Sequence, residues 1–237
     1  MTASFVTSLY IDWEEVAPDS YYRNIPALRS FDELHFDSNI TLFCGENGTG
    51  KSTLIEAIAI AFGFNPEGGT RNFAFSTYRD TSDLSAATHL FRGMNRAGSG
   101  YFFRAESFFN VATKAKEYWG DEKSPYGDIH TQSHGEGFLS FFQAFERAGL
   151  YIMDEPEAAL SPQRQLTLLA QIYDMAQTGS QFIIATHSPI LLGTPNACIY
   201  SFDDEKISRI DYEDTSSYQI TELFINNRDR LLRQLLS

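Results

Sequence analysis

Residues 45–52 read Gly-Glu-Asn-Gly-Thr-Gly-Lys-Ser, and this stretch decides the fold class. It is a complete G-x-x-x-x-G-K-[ST] pattern, and its spelling follows from phosphate chemistry. Gly45, Gly48 and Gly50 let the backbone turn tightly and aim its N–H groups inward at an anion. Glu46, Asn47, Thr49 and Thr53 belong to the same cradle. Lys51 is placed to reach the terminal phosphates, and the Ser52 hydroxyl to ligate a divalent cation. The flanks agree. Ile40, Leu42 and Phe43 form a short apolar run ending at Cys44, the pattern of a buried strand. Thr53 to Phe62 follows as a helix whose N-terminus faces the phosphates.

Around this centre the chain has the length and composition of one α/β domain. It has 237 residues, 43% of them hydrophobic, with no apolar run of membrane-spanning length. Met-Thr-Ala-Ser-Phe-Val at the N-terminus lacks the basic and apolar regions of a signal peptide. Cys44 and Cys198 lie in apolar runs without metal spacing, consistent with a reducing cytoplasm. The formal net charge of −13 argues against direct binding of duplex DNA by the protein alone, since phosphate contacts need a basic footprint.

The chain opens with a strand pattern from Ser4 to Trp13 and a second at Leu34 to Asp37, an antiparallel N-terminal part. Residues 63–132, rich in Gly, Ser, Asn and aromatics, read as a small inserted lobe within a single domain spanning 1–237. Phe138, Phe141, Phe142 and Phe145 then recur at helical spacing. Leu150 to Met153 reads as a buried strand, Pro162 to about Gln177 as a helix with Ser161 as its cap, and Gln181 to His187 as another strand. Strand, helix, strand in this order predicts a βαβ unit and a mainly parallel sheet. A hairpin at 197–212 and a C-terminal helix at 220–236 complete the reading.

Three further motifs carry chemistry. Asp154 and Glu155 end an apolar strand, where ligands of open parallel sheets collect. One carboxylate can serve a metal ion and the other polarise a water, because successive side chains diverge. His187 ends the next strand, where an imidazole beside Glu155 could sense a terminal phosphate. Ser133-His-Gly-Glu-Gly137 opens a helix and reads either as a Gly-rich cap or as an anion site.

Together these residues resemble the ABC-type ATPases, which include transporter nucleotide-binding subunits and the SMC/RecF-like ATPases. Gly45–Ser52 matches the Walker A motif, and Leu150–Glu155 matches Walker B with Glu155 as the catalytic glutamate. His187 matches the switch histidine. Ser133, Gly135 and Glu136 stand where the family has its Ser-Gly-Gly-Gln signature, with His134 in place of a glycine. Glu157–Ser161 fills the D-loop. Asp-Glu-Pro-Glu-Ala-Ala-Leu-Ser-Pro with Ala-Thr-His-Ser-Pro looks like the soluble RecF/OLD-like branch. More closely, the chain is similar to short bacterial AAA-family or ABC-like ATPases, in which Phe103–Asn110 and the Ser-His-Gly-Glu loop occur together.

The resemblance implies ATP and Mg²⁺ as cofactors, with Ser52 and Asp154 at the metal and Glu155 and His187 as catalytic residues. It also implies an ATP-dependent homodimer in which Ser133, Gly135 and Glu136 complete the partner's site, and coupling to an unknown protein partner. No glutamine stands at a Q-loop position; Asn72 and Ser76 are the nearest polar candidates. Tyr21, Tyr22 and Phe31 are either adenine-stacking rings or core, and Arg104 with Glu106 either a buried pair or nucleotide contacts. The leading reading is a stand-alone ATPase serving DNA maintenance or phage defence. The alternative is the ATP-binding subunit of a transporter. A small-molecule kinase and a non-hydrolysing nucleotide module fit the Lys51, Asp154, Glu155 and His187 set less well.

Overall fold

The computed structural model describes residues 5–70, 82–94, 99–108, 134–143, 145 and 147–236. Two sheets organise the chain. Strands β1 (Val6–Ile11), β2 (Glu33–His35) and β4 (Thr88–Arg92) form an antiparallel sheet in the order β2-β1-β4. The larger sheet adds β3 (Ile40–Cys44), β5 (Ser99–Arg104), β6 (Gly149–Asp154), β7 (Gln181–Ala185), β8 (Cys198–Ser201) and β9 (Ser208–Ile210). Its order is β5-β6-β7-β3-β8-β9, parallel throughout except for the terminal β8–β9 pair. The predicted mainly parallel α/β architecture is therefore present.

The alternation of strand side chains divides the core between the two faces of this sheet. Ile40, Leu42, Tyr151, Met153, Phe182 and Ile184 point to one face. There they meet α4 (His134–Gln143), α5 (Pro162–Gln177) and α6 (Pro189–Leu192) through Phe138, Phe142, Leu168 and Leu191. Phe43, Leu150, Ile152, Ile183 and Ala185 point to the other. That face carries α2 (Lys51–Phe62), the short helices α1 (Pro26–Arg29) and α3 (Asp83–Ala87), and the antiparallel sheet. Both faces being covered explains why β3, β6 and β7 read as unbroken apolar runs.

Within the stretch 63–132, residues 88–92 and 99–104 supply a strand to each sheet. β5 forms the edge beside β6, register-paired from Ser99↔Gly149 to Arg104↔Asp154. The Gly- and Asn-rich text around these strands hid them, since each is short and lies between turn residues. The final helix, α7 (Ser216–Leu235), has no buried residue, so the apolar side chains of its predicted stripe, such as Ile220 and Phe224, are exposed. No helix among the described residues is long and apolar enough to cross a membrane.

Gln181 joins the two sheets. Its side chain is fully buried, accepts from the Phe5 and Val6 amides at 2.8 and 2.9 Å, and donates to the Val6 carbonyl at 2.8 Å. Gln181→Leu would strand two backbone donors and one acceptor away from water. The expected loss is about 3 kcal/mol of unfolding free energy, read from chemical denaturation. A loss within 0.5 kcal/mol, roughly that of an ordinary surface change, would refute the role assigned to this side chain.

Candidate functional site

The site lies at the C-terminal ends of β3, β6 and β7. The loop after β3 turns through Gly45, Gly48 and Gly50, all at positive φ, and Gly50 caps the start of α2. A Cβ on Gly50 would lie 2.8 Å from Ile25, so the close seat of the loop on the α1 region requires glycine there. Lys51 is buried and donates from Nζ to the carbonyls of Gly45 (2.8 Å) and Glu46 (2.7 Å). Burial lowers its pKa, and the neighbouring carboxylates, Glu155 foremost, oppose that shift. Glu46, Asn47 and Gly48 are exposed at the tip, while Thr49 Oγ1 fastens the loop by donating to the Glu46 carbonyl at 2.9 Å. Ser52 and Thr53 follow, half-buried, in the first turn of α2.

β6 delivers Asp154 to that helix, where Ser52 Oγ donates to Asp154 Oδ1 at 2.8 Å. Burial pushes the Asp154 carboxyl up to about 6, partly offset by the Ser52 hydrogen bond and by Arg104. The next residue turns the other way. Glu155 adopts the left-handed conformation (φ 49°, ψ 55°) immediately before Pro156, a position that favours extended backbone. Its amide is anchored to the Ala185 carbonyl at 2.9 Å. This strained turn brings Glu155 Oε1 to 3.6 Å from His187 Nε2.

His187 is held by its backbone. Its amide donates to Glu157 Oε1 at 2.6 Å, and Ser188 Oγ donates to Gln165 Oε1 at 2.6 Å. Among the described residues its Nε2 has no hydrogen-bond partner, and it faces Glu155 across a short gap. The five residues lie near one another: Ser52 contacts Asp154, Glu155 faces His187, and Asp154 and Glu155 both act on the Lys51 charge. The hydroxyl and carboxylate of Ser52 and Asp154 are hard oxygen donors in contact, a donor set that fits Mg²⁺. Glu157 and Gln165 were not foreseen as props for His187. The available signal was a second acid, Glu157, two residues past Glu155 in the stretch that fills the D-loop.

Other expectations resolve differently. Gly135 and Glu136 lie in the first turn of α4, while Ser133, Asn72 and Ser76 fall outside the described residues. Phe31 is core; Tyr21 is exposed and packs against Tyr22 at 4.0 Å between ring centroids. Arg104 does not pair with Glu106. Its Nη1 meets Glu56 Oε2 at 2.7 Å, one helical turn beyond Ser52, and the Pro66 carbonyl at 3.2 Å.

The raised carboxyl of Asp154 has a testable consequence. An unfolded aspartate titrates near 3.8, the folded one near 6. Between those values the folded state keeps a proton that the unfolded state releases, so stability falls as pH rises through that window and stays lower above it. Metal-free Asp154→Asn should therefore gain stability over wild type between pH 4 and pH 6, and hold that gain to pH 7. Denaturation midpoints of both proteins across this range test it; a difference independent of pH would exclude a buried, charged Asp154.

Comparisons with known proteins agree with this geometry. The AAA-domain family profile matches residues 22–147, more than half of the chain. A second AAA-domain profile, whose description names the AbiEii toxin of type IV toxin–antitoxin systems, matches residues 126–193. The chain is 25% identical over 190 residues to the L-arabinose transport ATP-binding protein AraG of Geobacillus stearothermophilus, covering 70% of this chain and only 37% of that protein. It is 26% identical over 179 residues to the molybdate import ATP-binding protein MolC of Haemophilus influenzae, covering 67% of each. Among solved structures, an SMC head bound to the C-terminal winged-helix domain of ScpA superposes with a TM-score of 0.50 at 14% identity, over 78% of this chain and 94% of that one. The chain shares the fold of the SMC head and belongs to the AAA-domain family.

Proposed function

We propose that the protein binds ATP with Mg²⁺ and hydrolyses it between two copies of itself. The observation that carries this reading is the meeting of four groups at one loop: Lys51, the Ser52–Asp154 pair, Glu155 and His187. The loop amides and the α2 N-terminus hold the phosphates, with Lys51 exchanging its loop carbonyls for phosphate oxygens. Ser52 and Asp154 would hold the metal, which when bound neutralises charge building on the phosphate oxygens. Glu155 polarises a water for attack on the γ-phosphorus. The bond to the bridging oxygen breaks, and ADP and phosphate leave. His187, pinned through Glu157, presents Nε2 to the γ-phosphate.

Gly135 and Glu136, in the first turn of α4, and Ser133 just before them in the sequence are assigned to the nucleotide of the second copy. ATP then joins two protomers and hydrolysis releases them. The cycle drives an unidentified protein partner, in DNA maintenance or in defence; the profile naming a toxin system supports the latter. The likeness to AraG and MolC, ATP-binding proteins of import systems, favours a second reading as a transporter subunit. Capture of a membrane protein together with the native protein would select that reading.

Lys51→Ala should abolish measurable ATP binding in calorimetry; retained affinity would overturn the assignment of the loop. Glu155→Gln should keep nucleotide affinity and slow hydrolysis about 100-fold or more. The joined dimer should then accumulate in size-exclusion with light scattering only when ATP and Mg²⁺ are present, and the added Ser133→Arg change should return it to monomer. A Glu155→Gln protein that stays monomeric at saturating ATP would exclude the shared site.

A further inference from the structure

A carboxylate that no sequence motif singled out sits against the phosphate loop. β8 runs parallel to β3, with Cys44 opposite Ser201, so the chain leaving β8 emerges beside the chain leaving β3. Two residues on, Asp203 Oδ1 accepts the Glu46 amide at 2.9 Å. The carbonyl of the same peptide unit, that of Gly45, accepts from Lys51 Nζ at 2.8 Å. One peptide plane is thus gripped from both sides, by an ammonium on its oxygen and a carboxylate on its N–H. The contact is close enough to shape the sequence. A Cβ on Gly45, which sits at φ 134°, would lie 3.0 Å from Asp203 Oδ1.

Asp203 is itself aimed by its surroundings. Its amide donates to Ser201 Oγ at 3.1 Å, and Oδ2 lies 3.3 Å from the same hydroxyl. Asp204 and Glu205 follow at φ 57° and 59°, positive values that tight hairpin turns ordinarily assign to Asn and Gly. The turn is held to the body where Ser30 Oγ donates to the Glu205 carbonyl at 3.0 Å. Two side-chain-bearing residues in that conformation are retained only where the surrounding structure over-determines them.

We infer that Asp203 is a positioning residue for nucleotide binding: it fixes the Gly45–Glu46 peptide so that the anion cradle is formed before the phosphates arrive. The inference rests on the ATP-binding reading of the loop. Asp203 touches neither phosphate nor attacking water. It lowers the cost of ordering the loop, which benefits the bound ground state and transition state alike.

The test uses the full chain, ADP·Mg²⁺ as the calorimetric probe, and steady-state ATP hydrolysis. Asp203→Ala should weaken ADP binding and raise KM roughly tenfold, the worth of one charge-assisted hydrogen bond, with kcat within about threefold of wild type. Asp203→Asn retains an oxygen acceptor for the Glu46 amide and should recover most of that loss. Ser30→Ala removes one tie of the same turn but leaves the Asp203–Glu46 hydrogen bond in place, and should lose clearly less ADP affinity than Asp203→Ala. Wild-type affinity in Asp203→Ala, or an equal loss in Ser30→Ala, would overturn the inference, as would an Asn variant no better than Ala. Lys51→Ala keeps the two levels apart. If it still binds ADP, the loop reading itself fails; if it does not while Asp203→Ala does, only the clamp is wrong.

Discussion

The common register of four parallel strands is the constraint on which the rest of this molecule depends. Met153 pairs with Ile184, Leu42 pairs with both Ile184 and Ile199, and each strand then ends within two residues of that line. Side chains at the strand ends are therefore delivered to one plane without any loop having to search for them. Asp154 arrives at Ser52, the Ala185 carbonyl receives the Glu155 amide, and Asp203 reaches the Glu46 amide. A one-residue slip of β6 would exchange the two sheet faces and send Asp154 into the apolar layer on the wrong side. The alternation of bulky side chains, Tyr151 and Phe182 on one face against Ile152 and Ile183 on the other, makes such a slip costly.

Backbone strain gathers where that register ends. Glu155 at φ 49° before a proline and the pair Asp204–Glu205 lie on the two flanks of the phosphate loop. Each is held by hydrogen bonds that the sheet itself supplies or that side chains a few residues away add. The cost is on the order of 1 kcal/mol or more per residue and is carried by a core in which both sheet faces are closed. A more relaxed Glu155 would leave its carboxylate along the β6 direction, away from His187.

The loop, α2, β3, β6, β7 and the Asp154–Glu155–His187 group were legible in the sequence because each is local. Glycine spacing, an apolar run and a charged terminus fall within a few consecutive residues. β4 and β5 were harder to place, because they are as short as β3 and β7 but no motif or charged terminus marks where they end. The partners of these residues were hidden for a different reason. Glu56 with Arg104, Glu157 with the His187 amide, and Asp203 with Glu46 are pairings across elements distant in sequence, and nothing in a single chain's spelling links them.

If the proposed function holds, the charges around Lys51 require nucleotide and metal to arrive together. One buried ammonium is surrounded by Asp154, Glu155 and Asp203, so the carboxylates outnumber the cation beside them. A nucleotide arriving alone would bring more negative charge to Asp154 and Glu155. A divalent cation arriving alone would satisfy Asp154 but bring no anion to the N-terminus of α2. On the proposed reading the two together would balance both deficits: Asp154 with Ser52 would hold the metal, and Lys51 could exchange the Gly45 and Glu46 carbonyls for phosphate oxygens. Asp203 stands apart from this exchange. With its charge spent on the Glu46 amide, it can keep the peptide oriented while Lys51 changes partners, so the loop need not reorganise when the lysine leaves.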